Sequence, residues 1–214
     1  GNFRSNRHRG KAMRLMVTHT MGMLPSNALQ LIIEHSGSVL KHYSFEAVLG
    51  QGAFGKVRKG RMKVTGAERA IKQINKEKLK TSIHLLRKEV EIMKVIDHPN
   101  LLMLFEIFED ETHMYMVLEI CGGGTLQQYL RKTKYLSEGL SAIAMKQILR
   151  AVYYLQLHSV VHRDLKADNI LLSKREKLHH PDNMLKVSDF GLSCFIAPQE
   201  VLTQVCGTPT HMAP

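Results

Sequence analysis

The eight residues His162-Arg-Asp-Leu-Lys-Ala-Asp-Asn169 constrain this chain more tightly than any other stretch of it. Moving a phosphoryl group onto an alcohol requires a carboxylate that aligns the hydroxyl, a cation on the migrating phosphate, and metal ligands close by. Asp164, Lys166 and Asn169 supply those three within six residues. Asp189-Phe-Gly191 follows a strand-like run and adds a second carboxylate. The oxygen-only pair Asn169 and Asp189 suits Mg2+ or Mn2+ and not zinc. A chance loop of charged residues explains any one of these pieces, but not their combination.

Two further features point the same way. Gly50-Gln-Gly52-Ala-Phe-Gly55-Lys-Val57 follows a predicted strand, and glycines there let backbone N–H groups approach phosphates that a side chain would hold off. A plain hairpin or a dinucleotide-binding turn could give the same spacing. The dinucleotide turn requires a helix immediately afterwards, whereas Arg58-Lys-Gly-Arg-Met-Lys-Val64 reads as strand. Lys72 sits in the apolar strand Ala70-Ile71-Lys72, where an ammonium is costly to bury without an anion. Glu89 on the next predicted helix is the candidate partner; Glu91, two positions on, lies on a different face.

The predicted elements form a strand-rich half and then a helix-rich half. Tyr43 onward reads as strand, turn and strand, Arg69–Ile74 as a further strand, and Leu85–Ile96 as a helix with Leu85, Leu86, Val90 and Met93 on one side. Leu101–Phe108 and Met114–Ile120 read as strands, Gly122-Gly-Gly124 as a hinge, and Ser141–His158 as a long helix. Ile170–Leu172 and Leu185–Val187 are short strands. Before Tyr43, Leu29, Ile32 and Ile33 stand at i, i+3, i+4 and predict a helix packed on the body.

The net charge of +11 is concentrated at the start, where Arg4, Arg7, Arg9, Lys11 and Arg14 precede the first acid, Glu34. This reads as a solvated basic tail, with an anionic membrane as the sharper alternative. Without interleaved aromatics it is no nucleic-acid platform. Gly1 and Ser5 have the spacing of a myristoylation signal, although a glycine left by a cleaved tag accounts for Gly1 equally. Three widely spaced cysteines, Cys121, Cys194 and Cys206, fit reduced thiols better than a disulfide framework. No apolar run approaches the roughly 18 residues that span a bilayer, so the expectation is a soluble cytoplasmic protein, with membrane association through the extension left open.

In order, these motifs resemble those of the eukaryotic Ser/Thr protein kinases: glycine-rich loop, Ala-Ile-Lys, helix glutamate, His-Arg-Asp…Asn, Asp-Phe-Gly and a final Ala-Pro. The resemblance covers about residues 43–214. It implies an α+β, protein-kinase-like fold: a five-stranded antiparallel N-lobe with one helix (43–121), then an incomplete, mainly helical C-lobe (122–214), after a basic extension (1–42). It implies transfer of the ATP γ-phosphate to Ser or Thr hydroxyls of proteins. ATP would lie against Leu49, Gly50, Gln51, Gly52, Ala53, Phe54, Gly55, Lys56 and Val57. Val57, Ala70 and Leu171 would sandwich adenine, Glu119 and Cys121 would bond its edge through their backbone, and Leu118 would be the gatekeeper. Lys72, paired with Glu89, would hold the α/β-phosphates; Asp164 would be base or orienter, Lys166 would sit near the γ-phosphate, and Asn169 and Asp189 would hold Mg2+.

Asp97-His-Pro-Asn100, Leu185-Lys-Val-Ser-Asp-Phe-Gly-Leu-Ser193 and Cys206-Gly-Thr-Pro209 are most similar to calmodulin-regulated and calcium-dependent kinases. No D-x-D-x-D-G loop occurs, so a calcium-sensing domain would lie outside this chain. Thr125 stands where many relatives carry an acid that contacts the ribose, and Gln204 lies near the usual activation-loop phosphosite, beside Thr203. Pro214 falls before the glutamate that would complete Ala-Pro-Glu, from which we expect a C-lobe cut short and a polypeptide inactive or marginally folded by itself. A nucleotide-binding scaffold or pseudokinase is the alternative reading.

Overall fold

The computed structural model describes residues 32–52, 55–79, 82–175, 178–180, 182–197 and 199–212. The arginine-rich start, Gly1, Leu29, loop residues Ala53 and Phe54, and the final Ala213-Pro214 therefore lie outside the described residues.

The first half is a six-stranded sheet made from β1 (Ile33–Ser36), β2 (Tyr43–Gly52), β3 (Gly55–Met62), β4 (Glu68–Asn75), β5 (Leu104–Glu109) and β6 (His113–Leu118), in the order β1-β5-β6-β4-β3-β2. The five strands from β2 to β6 pair antiparallel, as expected. The sixth, β1, runs parallel to β5 with Ile33 opposite Glu106. Here the structure corrects the end of the helix predicted from Leu29, Ile32 and Ile33: Ile33 begins a strand, while Leu29 lies outside the described residues. Adjacent β-branched residues favour extended backbone, and the open edge of β5 supplies hydrogen-bond partners that outweigh an i, i+4 spacing. Gly37, at φ 112°, then turns the chain, its N–H donating to Glu109 O at 3.0 Å. The last ten residues of the segment 1–42 are thus built into the N-lobe.

This arrangement gives the sheet two apolar faces. Its inner face joins helix α1 (Ile83–Val95) in the main core, where Leu86, Val90, Ile92 and Met93 are buried but Leu85 is 43% exposed. Its outer face carries a second cluster of Val39, Tyr43, Ile71, Phe108, Tyr115 and Val117. The turn after β1 closes this cluster, with Val39 and Tyr43 at 1% and 0% exposure.

In the second half, α2 (Leu126–Thr133) leads to α3 (Glu138–Leu157), followed by β7 (Val160–Val161), β8 (Ile170–Leu172), β9 (Leu185–Val187) and β10 (Cys194–Phe195). β8 and β9 form an antiparallel pair with Ile170 opposite Val187, and β10 pairs with β7. Ser137 caps α3, which buries Ala144, Ala151 and Leu155 and leaves Ile143, Met145, Leu149, Tyr153 and Leu157 exposed. Asn100 ties the halves together: it is 2% exposed and donates to Gln147 Oε1 on α3 at 2.9 Å and to Leu185 O at 3.0 Å.

Candidate active site

β2 and β3 meet at the glycine cluster with register irregularities between Phe45 and Gly50, as strand pairs near sites often do. The glycines divide the work. A Cβ on Gly50 or Gly52 would meet nothing within 4 Å, so both leave open space. On Gly55 it would fall 1.9 Å from Gln73 O, so that glycine is required by the close approach of β3 to β4. Leu49, Gln51 and Lys56 lie on the same hairpin, with Leu49 half exposed.

Lys72 on β4 faces Val57 on one side and Met116 on the other. Its Nζ donates to Glu89 Oε1 at 2.7 Å, and Glu89 is 8% exposed. Glu91 instead turns outward to Lys94, as the helical spacing requires. Asp189 reaches the same space from the other half: a Cβ placed on Gly191 would lie 3.3 Å from Asp189 Oδ1 and 3.8 Å from Glu89 Oε2. Gly191 thus has both carboxylates as neighbours.

Beneath lies a tightly bonded loop. Asp164 Oδ2 accepts from Lys166 Nζ at 2.8 Å and from Asn169 Nδ2 at 3.0 Å, and its Oδ1 accepts from the Thr208 hydroxyl at 2.6 Å. Lys166 Nζ also donates to Thr208 Oγ1 at 2.7 Å. Burial pushes the Asp164 carboxyl up, but the bonds from Lys166, Thr208 and Asn169 outweigh it and hold the group below the usual carboxylate range. The group is therefore held as an anion and is a weak base. Asn169 spends its Nδ2 on Asp164, which leaves Oδ1 as the donor for a cation. That oxygen and the Asp189 carboxylate are hard ligands of the kind that suit a divalent cation.

Arg163 and Asp189 both adopt left-handed backbone, at φ 65°, which costs about 1 kcal/mol or more in a non-glycine residue. Such strain persists where surroundings over-determine it. His162 is one such constraint, a role the sequence reading did not assign. At 3% exposure, it meets Ser188 O through Nε2 at 3.0 Å and accepts from the Asp164 N–H through Nδ1 at 3.3 Å. Burial lowers its pKa, so the ring is neutral with its proton on Nε2, and it joins the Asp164 loop to the strand end before Asp189.

At the hinge, Ala70 pairs with Leu118, and the Glu119 N–H donates to Met103 O at 2.9 Å. Leu171 lies on β8, opposite Lys186. Burial pushes the Cys121 thiol up to about 12, with Glu119 adding to it, so this cysteine is a packing group and not a nucleophile. Sequence reasoning also missed Lys186, 7% exposed, whose Nζ lies 2.8 Å from Glu119 Oε2 and links the hinge to β9. A lysine inside the apolar run Leu185-Lys-Val187 was the available signal. Thr125, read as a substitute for a ribose-contacting acid, caps α2: its Oγ1 accepts from Gln128 N while its own N–H donates to Gln128 Oε1.

Residues 43–214 match the protein kinase domain family. The chain belongs to that family. It is 35% identical over 202 residues to serine/threonine-protein kinase 33 of Mus musculus, covering 91% of this chain and 40% of that protein. It is 40% identical over 166 residues to calcium-dependent protein kinase 5 of Plasmodium falciparum, covering 78% of this chain and 28% of the relative. With NUAK family SNF1-like kinase 1 of Mus musculus the identity is 35% over 184 residues, 84% of this chain and 27% of that protein. The chain therefore spans between about a quarter and two-fifths of the length of these curated relatives. The protein kinase domain begins at Tyr43, while the sheet that houses its upper half begins ten residues earlier, at Ile33. Among the described residues, no helix is long and apolar enough to cross a membrane.

Proposed function

We propose that this protein kinase domain serves a protein that transfers the ATP γ-phosphate to serine or threonine hydroxyls of other proteins. The observation that carries the reading is that Lys72, Glu89 and Asp189 converge from three elements, with the Asp164–Lys166–Asn169–Thr208 loop on the facing half. In this reading Leu49 to Val57 cover the nucleotide, Ala70, Leu118 and Leu171 bound the adenine space, and the backbone at Glu119 and Cys121 meets its edge. Lys72, fixed by Glu89, holds the α/β-phosphates. Asp164 aligns the attacking hydroxyl and, with its lowered pKa, takes the proton only late, as the hydroxyl oxygen bonds the γ-phosphorus and the bond from that phosphorus to the departing ADP oxygen breaks. Lys166 stands beside it for the charge on the migrating group. Asn169 and Asp189 would hold Mg2+, whose charge offsets that of the phosphate oxygens.

The names of relatives support hydroxyl choice and, through the Plasmodium protein, control by a calcium-sensing domain outside these residues. Arg163 donates from Nη1 to Gln204 Oε1 at 3.4 Å, so the segment after Asp-Phe-Gly has a tether that requires no phosphate on Thr203. A cytoplasmic location, with membrane contact through the basic residues before Ile33, completes the proposal. The test is Mg-ATP binding, with phosphotransfer to Ser and Thr peptides by the full-length protein. Lys72→Met and Asp189→Ala should each abolish binding; unchanged affinity in both would refute the assignment.

A further inference from the structure

We propose that strand β1 positions helix α1, and that Glu34 is a positioning residue which acts through Lys94 on the Lys72–Glu89 pair. The proposal rests on reading that pair as the holder of the nucleotide phosphates.

At the start of α1, Ser82 makes no side-chain capping bond. The orientation of the helix depends on apolar packing and on side-chain ties. The inner tie is Glu89 to Lys72, at 2.7 Å. The outer tie is Lys94, whose ammonium contacts the Glu34 carboxylate of β1 and lies 2.7 Å from Glu91. Lys94 is five residues beyond Glu89, about 140° further around a helix of 3.6 residues per turn. One tie leaves a helix free to roll about the tied point. Two on different faces remove that freedom, and with it the roll that would carry Glu89 away from Lys72. Lys94 is the more enclosed partner, its side chain 23% exposed against 61% for Glu34. Burial lowers its pKa, yet Glu34 and Glu91 together raise it overall, so its charge is held in place.

A positioning strand must itself be fixed, and β1 is. Four residues pair with β5, Ile32 packs on the main core, and Gly37 bonds Glu109 O. On the outer face, the His35 ring stacks on Phe108 with centroids 4.3 Å apart and planes 11° from parallel. His35 Nε2 is 3.2 Å from Glu106 Oε2, while Tyr43 donates to Glu106 Oε1 at 2.7 Å. Glu34 thus projects from a strand clamped on both faces. Arg87 to Glu109, at 3.8 Å with Arg87 62% exposed, is a weaker second strut from α1 to the sheet.

The experiment is a double-mutant cycle in the full chain with Glu34→Gln, Lys94→Met and the pair. Three quantities are read: Mg-ATP dissociation constant, amide hydrogen exchange peptide by peptide, and thermal midpoint. A tie of this exposure predicts Mg-ATP binding weakened about two- to five-fold by Glu34→Gln. Exchange should quicken in α1 and remain unchanged in β3 and β4, and the double variant should be no worse than Lys94→Met alone. Wild-type affinity with wild-type α1 exchange in Glu34→Gln overturns the proposal. So does additive weakening in the double variant, or faster exchange spread evenly over the molecule. If the unsubstituted chain binds no Mg-ATP, the reading of the phosphate site fails, while exchange in α1 still decides whether Glu34 holds the helix.

Discussion

Thr208 offers the sharpest test of how Asp164 is tuned. Its hydroxyl donates to Asp164 Oδ1 at 2.6 Å and accepts from Lys166. Thr208→Val keeps the shape but removes a donor from a carboxylate whose side chain is only 9% exposed. A hydrogen bond to a charged group contributes about 1.5–3 kcal/mol, and the lower end applies because Thr208 is only half-buried. At 1.36 kcal/mol per unit, about 1.5 kcal/mol raises the Asp164 pKa by about one unit. The sign follows from the depressed starting value: Asp164 must be ionised to align a hydroxyl, so activity falls as pH drops through its pKa. Raising that pKa moves the acid limb toward neutrality. The assay is kcat/KM for peptide phosphorylation against pH in the full-length protein, with Thr208→Ser as the control that keeps the donor. An acid limb that stays fixed in Thr208→Val would show that this hydroxyl does not tune Asp164.

The glycine hairpin and His162 make separate predictions. Gly55→Ala forces a methyl onto Gln73 O and should cost about 2 kcal/mol or more in denaturant unfolding, whereas Gly52→Ala, with nothing within 4 Å, should leave stability within about 0.5 kcal/mol and weaken Mg-ATP binding instead. Equal destabilisation by the two would contradict the division of labour between these glycines. His162 is buried neutral, so the unfolded chain takes up a proton at a higher pH than the folded one. Stability should fall as pH drops below about 6.5, down to the depressed folded value, and His162→Gln should flatten that slope in urea melts.

Much of the site was legible in the sequence because its parts are local. Asp164, Lys166 and Asn169 fall in one short loop, and helical spacing alone separates Glu89 from Glu91 as the partner of Lys72. The paired strands Ile170–Leu172 and Leu185–Val187 could be delimited because each carries branched aliphatic residues, with Lys186 the one exception, between polar breaks. α2 went unread although Thr125-Leu-Gln-Gln128 carries its capping box, because Thr125 reads first as the replacement of an acid.

The sequence by itself determined which chemical groups this protein has and the order in which they occur, since spacing along the chain sets who can share a turn or a helix face. Only the tertiary structure decided what each group spends its bonds on. Ile33 became a strand because β5 presented a free edge, and Lys186 is tolerable in a buried strand because Glu119, 67 positions earlier, meets it. Thr208 tunes Asp164 from 44 residues away. Contacts between distant segments depend on how whole elements stack, and no local pattern encodes them.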